Sequence, residues 1–337
     1  MSNQAFAGEY QGEDAIWLRA GHYEAALLPR IGGNLVAFRD TVKGFTLLRE
    51  PSIEEMAEFS ARPMVHGIPI LFPPNRYKDG RFSLNGLQYE FPVNEPKTGN
   101  HLHGFFYNIP WHVSDFGTNE TESYVTIEQN VDKNHAAYRY FPHTFHFTVR
   151  YALSEDGLKQ EVSITNLGEA AMPCMLGFHT AFNAPFAPNS TKEDISFTMT
   201  IGDRWELDDR MLPTGSYQPL VDGELAMKRA GVSPYFAEMD NHYTSQPQMG
   251  FNAAIIIDHK EKVRLVYDVG TNYKHWMIWN NEANGKYFCP EPQINAVNAP
   301  NLNLPAEQIG LVLLDKGQSW TETSRLYIET MPHPDLK

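Results

Sequence analysis

Cysteine is nearly missing from this chain: Cys174 and Cys289 are the only two in 337 residues. That excludes a disulfide framework, and two lone thiols suit a reducing compartment, so the protein is expected to be cytoplasmic. No apolar run approaches the roughly 18 residues of a membrane span. The opening Met1–Trp17 has neither a basic n-region nor an apolar h-region, and predicts no signal peptide. There is no Gly-rich phosphate loop, no serine nucleophile elbow and no Cys-x-x-Cys pair. Positive charge is also scarce, with 27 Lys+Arg against 41 Asp+Glu and a formal charge of −14. Such a balance repels phosphate backbones and anionic lipid, so neither nucleic acid nor a membrane surface is an expected partner; an uncharged small molecule fits better.

What the chain does have is aromatic residues and turn formers: 20 Phe, 16 Tyr and 6 Trp, with 24 Gly and 23 Pro. This composition predicts many strands joined by turns. Phe145 to Tyr151 alternates apolar and polar with period two, and Leu158 to Thr165 continues after the turn Ser154-Glu155-Asp156-Gly157, which reads as a hairpin. Ser123 to Gln129 alternates in the same way. Ala253 to Asp258 and Val263 to Asp268 flank His259–Lys262 as a second hairpin, and Gly310 to Leu314 with Arg325 to Ile328 predicts a last one around Lys316-Gly317. One short helix is expected at Ser52 to Ala61, where Ser52 and Glu55 form a capping box. Arg204 to Gln246, rich in turn residues, is expected to cover a sheet face. With no linker and no repeat, residues 1–337 read as one large antiparallel β domain.

The segment Asn75–Trp111 concentrates chemistry: an Asn75-Arg76 pair, a Gly-punctuated hairpin, and His101-Leu102-His103-Gly104. A strand would turn His101 and His103 to one side, a geometry that suits a metal, a hydroxyl-rich ligand, or simply capped surface histidines. The cupin type of metal site would want an acid soon afterwards, and Phe105-Phe106-Tyr107-Asn108 follows instead. His179 lies in a predominantly apolar and aromatic stretch, where an imidazole must be either hydrogen-bonded or functional. Glu291, between Pro290 and Pro292, reads as a carboxylate on a stiff loop or strand end, a candidate general base or an ordinary loop glutamate. Asp240 in Asp240-Asn241 is a turn former by default. Trp276 and Trp279 are core residues or a sugar-stacking platform. Arg62 and Arg81 are available to a phosphate, although their spacing does not demand one.

Taken in order, these pieces resemble the aldose 1-epimerase (galactose mutarotase) family. The likeness starts at Gly67-Ile68-Pro69-Ile70-Leu71-Phe72-Pro73-Pro74-Asn75-Arg76 and continues through Gly80-Arg81-Phe82 and Asn85-Gly86-Leu87-Gln88-Tyr89. It then takes in His101-Leu102-His103-Gly104 with Trp111, Gly177-Phe178-His179-Thr180-Ala181-Phe182-Asn183, Asp240-Asn241-His242-Tyr243 and Glu291-Pro292-Gln293. The resemblance implies an all-β fold, a large twisted antiparallel β-sandwich (the galactose mutarotase-like supersandwich) with a sugar site on its concave face.

By the same resemblance Glu291 would be the general base at the anomeric hydroxyl and His179 the general acid at the ring oxygen. His103 would hold or polarise the sugar near that oxygen, and Asn75, Arg76, His101 and Asp240 would bind it. The implied reaction interconverts the anomers of a free hexose such as glucose or galactose, with no cofactor and no metal. The family's His-Gly-Gly is His103-Gly104-Phe105 here, so a larger side chain is expected beside the site. The stretch around His179 lacks the family's leading Asn and its Tyr, which leaves the sugar unnamed. The alternatives are a hexose-6-phosphate 1-epimerase, which would want more arginines in the site, and a non-catalytic sugar-binding or sensing protein on the same scaffold. A metal-dependent β-barrel enzyme built on His101 and His103 is a further one. Nothing in the sequence specifies an oligomeric state.

Overall fold

The computed structural model describes residues 2–331; Met1 and residues 332–337 of the expected 1–337 span lie outside the described residues. Three antiparallel sheets dominate. The N-terminal five-stranded sheet runs in chain order from Gln4–Tyr10 to Phe45–Thr46. An eight-stranded sheet follows the spatial order His112–Thr118, Ser123–Val131, Phe145–Ser154, Gly157–Asn166, Ser319–Thr330, Val263–Asp268, Ala253–Asp258, Ile195–Met199. The third sheet carries the cavity described below. Its order is Pro213–Gln218, Ile201–Leu207, Asp240–Ser245, His275–Trp279, Tyr287–Gln293, Gly177–Phe178, Ile70–Leu71, and Phe182–Asn183 also pairs with Tyr287–Gln293.

Period-two alternation explains how the layers meet. Val125 and Ile127, with Phe145, Phe147, Val149 and Tyr151, are buried on one face of the eight-stranded sheet, while their neighbours stay half exposed. They join Tyr243, Trp276, Ile278 and Phe288 from the third sheet, and Leu18, Leu27 and Phe38 from the first, in one hydrophobic cluster. Phe72 is an anchor within it. Its ring lies 5.3–5.7 Å from those of Phe141, Phe145, Phe106 and Phe147. Truncating such a ring to Ala typically costs about 3–5 kcal/mol. Phe72 also bridges to Gly104 and accepts the Phe105 amide at 3.1 Å, so the anchor fixes both chain segments that enter the site. Gly104 has φ +71, and a Cβ there would lie 2.2 Å from the Phe72 carbonyl oxygen.

The hairpins Phe145–Ser154/Gly157–Asn166 and Ala253–Asp258/Val263–Asp268 form as the alternation predicts. The expected hairpin around Lys316-Gly317 does not. Val312–Leu314 pairs with Met172–Cys174, whereas Ser319–Thr330 pairs with Gly157–Asn166 and Val263–Asp268. The turn there diverts the chain between sheets, because the Gly317 amide is taken by the Asn166 carbonyl at 2.7 Å. The helix is shorter than expected, Met56–Ala61. Ser52 and Glu55 do exchange their capping-box bonds, at 2.9 and 3.3 Å, but they close a turn ahead of the helix. Arg204 to Gln246 is no mere cover: it supplies three strands of the third sheet and the helix Asp222–Arg229. Its turn residues obscure short strands whose pairing is interrupted by register shifts.

Candidate active site

Cross-strand register gives the third sheet two different faces. Asp240 pairs with Trp279, His242 with Met277, Met277 with Glu291, and Trp279 with Cys289, so these side chains share one face. Trp276, Ile278, Phe288 and Pro290 point to the other, which is the core. Glu291 therefore belongs to the interior of a strand, not to a loop, and it is 2% exposed.

Pro290 and Pro292 shape the strand edge beside it. In this strand the Ile294 amide bonds the Leu176 carbonyl, so even-numbered residues turn their nitrogens towards Gly177–Phe178 and Phe182–Asn183. The two prolines bring no N–H to that edge. The chain opposite them keeps its register all the same, with Gly177 against Gln293 and Phe182 against Phe288, while on its other side the His179 amide bonds Pro69 and the Ala181 amide bonds Gly67, at 3.1 and 2.9 Å. That register sets His179 opposite Glu291, and its Nε2 comes to 3.1 Å from Glu291 Oε1.

Burial dominates the electrostatics of this pair. It raises the Glu291 carboxyl well above the usual carboxylate range, aided by Asp240 and opposed by Arg76. It lowers the His179 imidazole to about 4, with the Arg62 field acting the same way. Each partner is thus pushed towards its neutral form, carboxylic acid beside imidazole. Glu291 Oε2, His179 Nδ1 and His103 Nδ1 are buried without hydrogen-bond partners among the described residues.

His103 completes the floor. The strand Asn100–Leu102 ends just before it, and φ of +68 swings its ring to 5.5 Å from that of His179, edge to face. Its amide donates to the Asn75 carbonyl at 3.0 Å. Burial, then the neighbouring His179 and Arg76, hold it far below an ordinary histidine. Asn75, also at positive φ, accepts the Arg76 amide on its Oδ1 at 2.9 Å. Arg76 donates from Nε and Nη2 to Glu95, both at 3.0 Å, and from Nη2 to Asp240 at 3.3 Å.

His101 is not part of this group. With the strand ending at Leu102, the two histidines do not share a side, and His101 does not line the cavity. Its Nδ1 bonds the Pro92 carbonyl at 2.8 Å and its Nε2 accepts the Gly104 amide at 3.1 Å, between the rings of Phe91 and Phe105. It braces the turn that presents His103. Phe105 likewise stays out, stacked on Tyr140 at 4.9 Å.

The resulting cavity, about 410 Å³, is of a size for a small molecule. Glu291, His179, His103, Asn75, Arg76 and Asp240 line it, with Met277, Trp279 and Tyr287 as apolar wall. Trp276 is core and Trp279 is site. The mouth comes from the turn and helix at 55–66, not from the Phe105 region, and Asp240 is the cavity's contribution from Arg204 to Gln246. Sequence reasoning missed Arg49, His66 and Glu95, which no motif marks, and read Glu55 only as half of a capping box. Arg49 bonds Glu55 at 2.9 Å and lies over the Tyr287 ring at 4.1 Å. Arg62 lines the mouth, whereas Arg81 is paired with Glu90 on an exposed hairpin away from the cavity.

A model of the aldose 1-epimerase family matches residues 14–327. A galactose mutarotase-like protein from Clostridium acetobutylicum is 36% identical and superposes with a TM-score of 0.94, over 98% of this chain and 99% of that one. Galactose 1-epimerase from Lactobacillus acidophilus NCFM is 16% identical with a TM-score of 0.75, over 98% and 100%, a likeness of fold alone. The uncharacterized protein YihR of Escherichia coli K12 is 28% identical over 166 residues, so the match spans about half of each chain, 49% and 48%.

Proposed function

The chain belongs to the aldose 1-epimerase family, and from that premise we propose that it interconverts the α and β anomers of a free hexose such as glucose or galactose. One observation carries the reading: two buried, oppositely perturbed groups, Glu291 and His179, 3.1 Å apart on the floor of a small-molecule cavity. Sugar binding needs no such pair, whereas mutarotation needs one group to take a proton and another to give one.

With the sugar bound, the working form is a Glu291 carboxylate beside a His179 imidazolium, the same proton count as the neutral pair. Glu291 takes the proton of the anomeric hydroxyl. The bond from C1 to the ring oxygen breaks as C1 becomes the aldehyde carbon, and the ring oxygen takes the His179 proton. The pair is left as carboxylic acid and neutral imidazole, the state that burial favours. Rotation about C1–C2 and reclosure return both protons and deliver the other anomer. No net proton enters or leaves. His103 faces this exchange and steadies the ring-oxygen end, while Arg76 and Asp240 hold hydroxyls. In this reading residues 1–337 act as one sugar-binding domain.

The hexose-6-phosphate alternative finds less support, because Arg76 and Arg49 already serve carboxylates and Arg81 is elsewhere, which leaves Arg62 alone at the mouth where a cluster is wanted. Polarimetry on freshly dissolved α-glucose, α-galactose and α-glucose 6-phosphate tests the proposal. Wild-type protein should hasten the approach to anomeric equilibrium with a free hexose, and Glu291→Gln and His179→Ala should lose that acceleration. No acceleration with any of the sugars refutes it.

A further inference from the structure

Arg76 would be a strong anion receptor were its donors free, since a guanidinium presents two bidentate edges matched to phosphate and carboxylate. In this site one edge is fully occupied: Nε and Nη2 both donate to Glu95. The other is half occupied, because Nη2 also donates to Asp240. Among the described residues no protein group bonds Nη1. What remains is Nη1, whose two N–H bonds diverge: enough for hydroxyls and too little for a fork on an anion.

Glu95 is built into place for this. Its amide bonds the Asn100 carbonyl at 3.1 Å, and its own carbonyl accepts the Gly99 amide at 2.9 Å, closing the turn that leads to Asn100–Leu102. The Thr98 hydroxyl donates to Glu95 Oε2. The side chains of Glu95 and Arg76 are 19% and 12% exposed, so solvent screens the pair weakly. With Asp240 added, one guanidinium faces two carboxyl groups, and Glu95, held below its usual range, is enough to cancel the Arg76 charge.

We propose that Glu95 is a positioning and specificity residue: it fixes Arg76 in one orientation and cancels its charge, so that the clamp takes the hydroxyls of an uncharged sugar and turns anions away. The role rests on the mutarotase reading and extends it to substrate class. It has an electrostatic corollary. Arg76 lowers the Glu291 carboxyl, and a carboxylate paired with that guanidinium opposes its field. Glu95 thereby helps keep the proton on the catalytic pair.

Wild type, Glu95→Gln, Glu95→Ala and Glu95→Asp are compared in two measurements, the two neutral variants together so that instability of one leaves the comparison intact. The first is calorimetric titration with inorganic phosphate, which needs no turnover. The neutral variants should bind phosphate about tenfold more tightly than wild type, the worth of one charge-assisted hydrogen bond, and Glu95→Asp should resemble wild type. The second is the pH profile of kcat/KM for α-glucose. Its alkaline limb should move down by about one unit in the neutral variants and stay in place in Glu95→Asp. Unchanged phosphate affinity and an unmoved limb overturn the inference, as does an equal change in Glu95→Asp. Should wild type accelerate no sugar, the mutarotase reading falls, and the phosphate comparison still decides whether Glu95 screens Arg76.

Discussion

Replacing Glu291 by Gln separates activity from stability, and the structure assigns opposite signs to the two. Glutamine keeps the shape and can still meet His179 at 3.1 Å, but it accepts no proton from a hydroxyl. Loss of a positioned general base costs about 10²–10⁴ in rate, so kcat should fall by that factor with KM little changed. Stability should move the other way. Burial raises the Glu291 carboxyl well above its unfolded value of 4.5. Between 4.5 and that raised value the folded protein holds a proton that the unfolded chain has released. The native state is therefore penalised progressively as pH rises, by about 1.4 kcal/mol per unit. Gln carries no such penalty. The variant should match wild type near pH 4.5 and exceed it by about 1–3 kcal/mol at neutral pH, a few degrees in Tm. The assays are polarimetry for rate and thermal melts across pH 4.5–8 for stability. A Gln variant that turns over at the wild-type rate refutes the base assignment. One less stable than wild type by a constant amount at all pH values refutes the claim that burial strains this carboxylate.

Other outcomes follow from the same geometry. The profile of kcat/KM should be a plateau bounded below near pH 4, where His179 takes a second proton onto the pair, and above at the raised Glu291 value; an acid limb near pH 6.5 would mean an unburied histidine. Folding stability should decline as pH falls from about 6.5 towards 4, since buried His101, His143 and His275 stay neutral down to about 4 while the unfolded chain protonates. Each contributes on the order of 3 kcal/mol across that window, and denaturant titrations at pH 7 and pH 5 measure it. His101→Ala should destabilise by about 2–4 kcal/mol through two lost buried backbone bonds, and, by freeing the turn that presents His103, should lower kcat with KM little changed. Arg76→Ala should instead raise KM, and equal KM effects in the two variants would put His101 back in the site.

The β-rich architecture was legible because alternation is local: a strand half buried against a core writes period two into its own residues, as in Phe145–Ser154. The motifs also marked Glu291, His179, His103, Arg76 and Asp240, all of which the fold gathers in one cavity. Local pattern could not reveal which edges pair. It joined Gly310 to Leu314 with Arg325 to Ile328, although the two enter different sheets, and it passed over the interrupted strands between Arg204 and Gln246.

His101 and Glu95 show the same limit from opposite sides. One belongs to a His-x-His that looks chemical, yet both ring nitrogens serve the backbone; the other sits in an unremarked turn, yet holds the arginine of the site. Sequence by itself determined which side chains are capable of proton transfer and which stretches prefer extended backbone. Tertiary structure alone decided that Glu291 and His179 meet. That meeting depends on a pairing register that sets a distant segment beside the Glu291 strand, and on burial that drives both groups towards neutrality. Neither residue encodes these effects alone, because both arise from the low-dielectric surroundings that the folded sheets create around them.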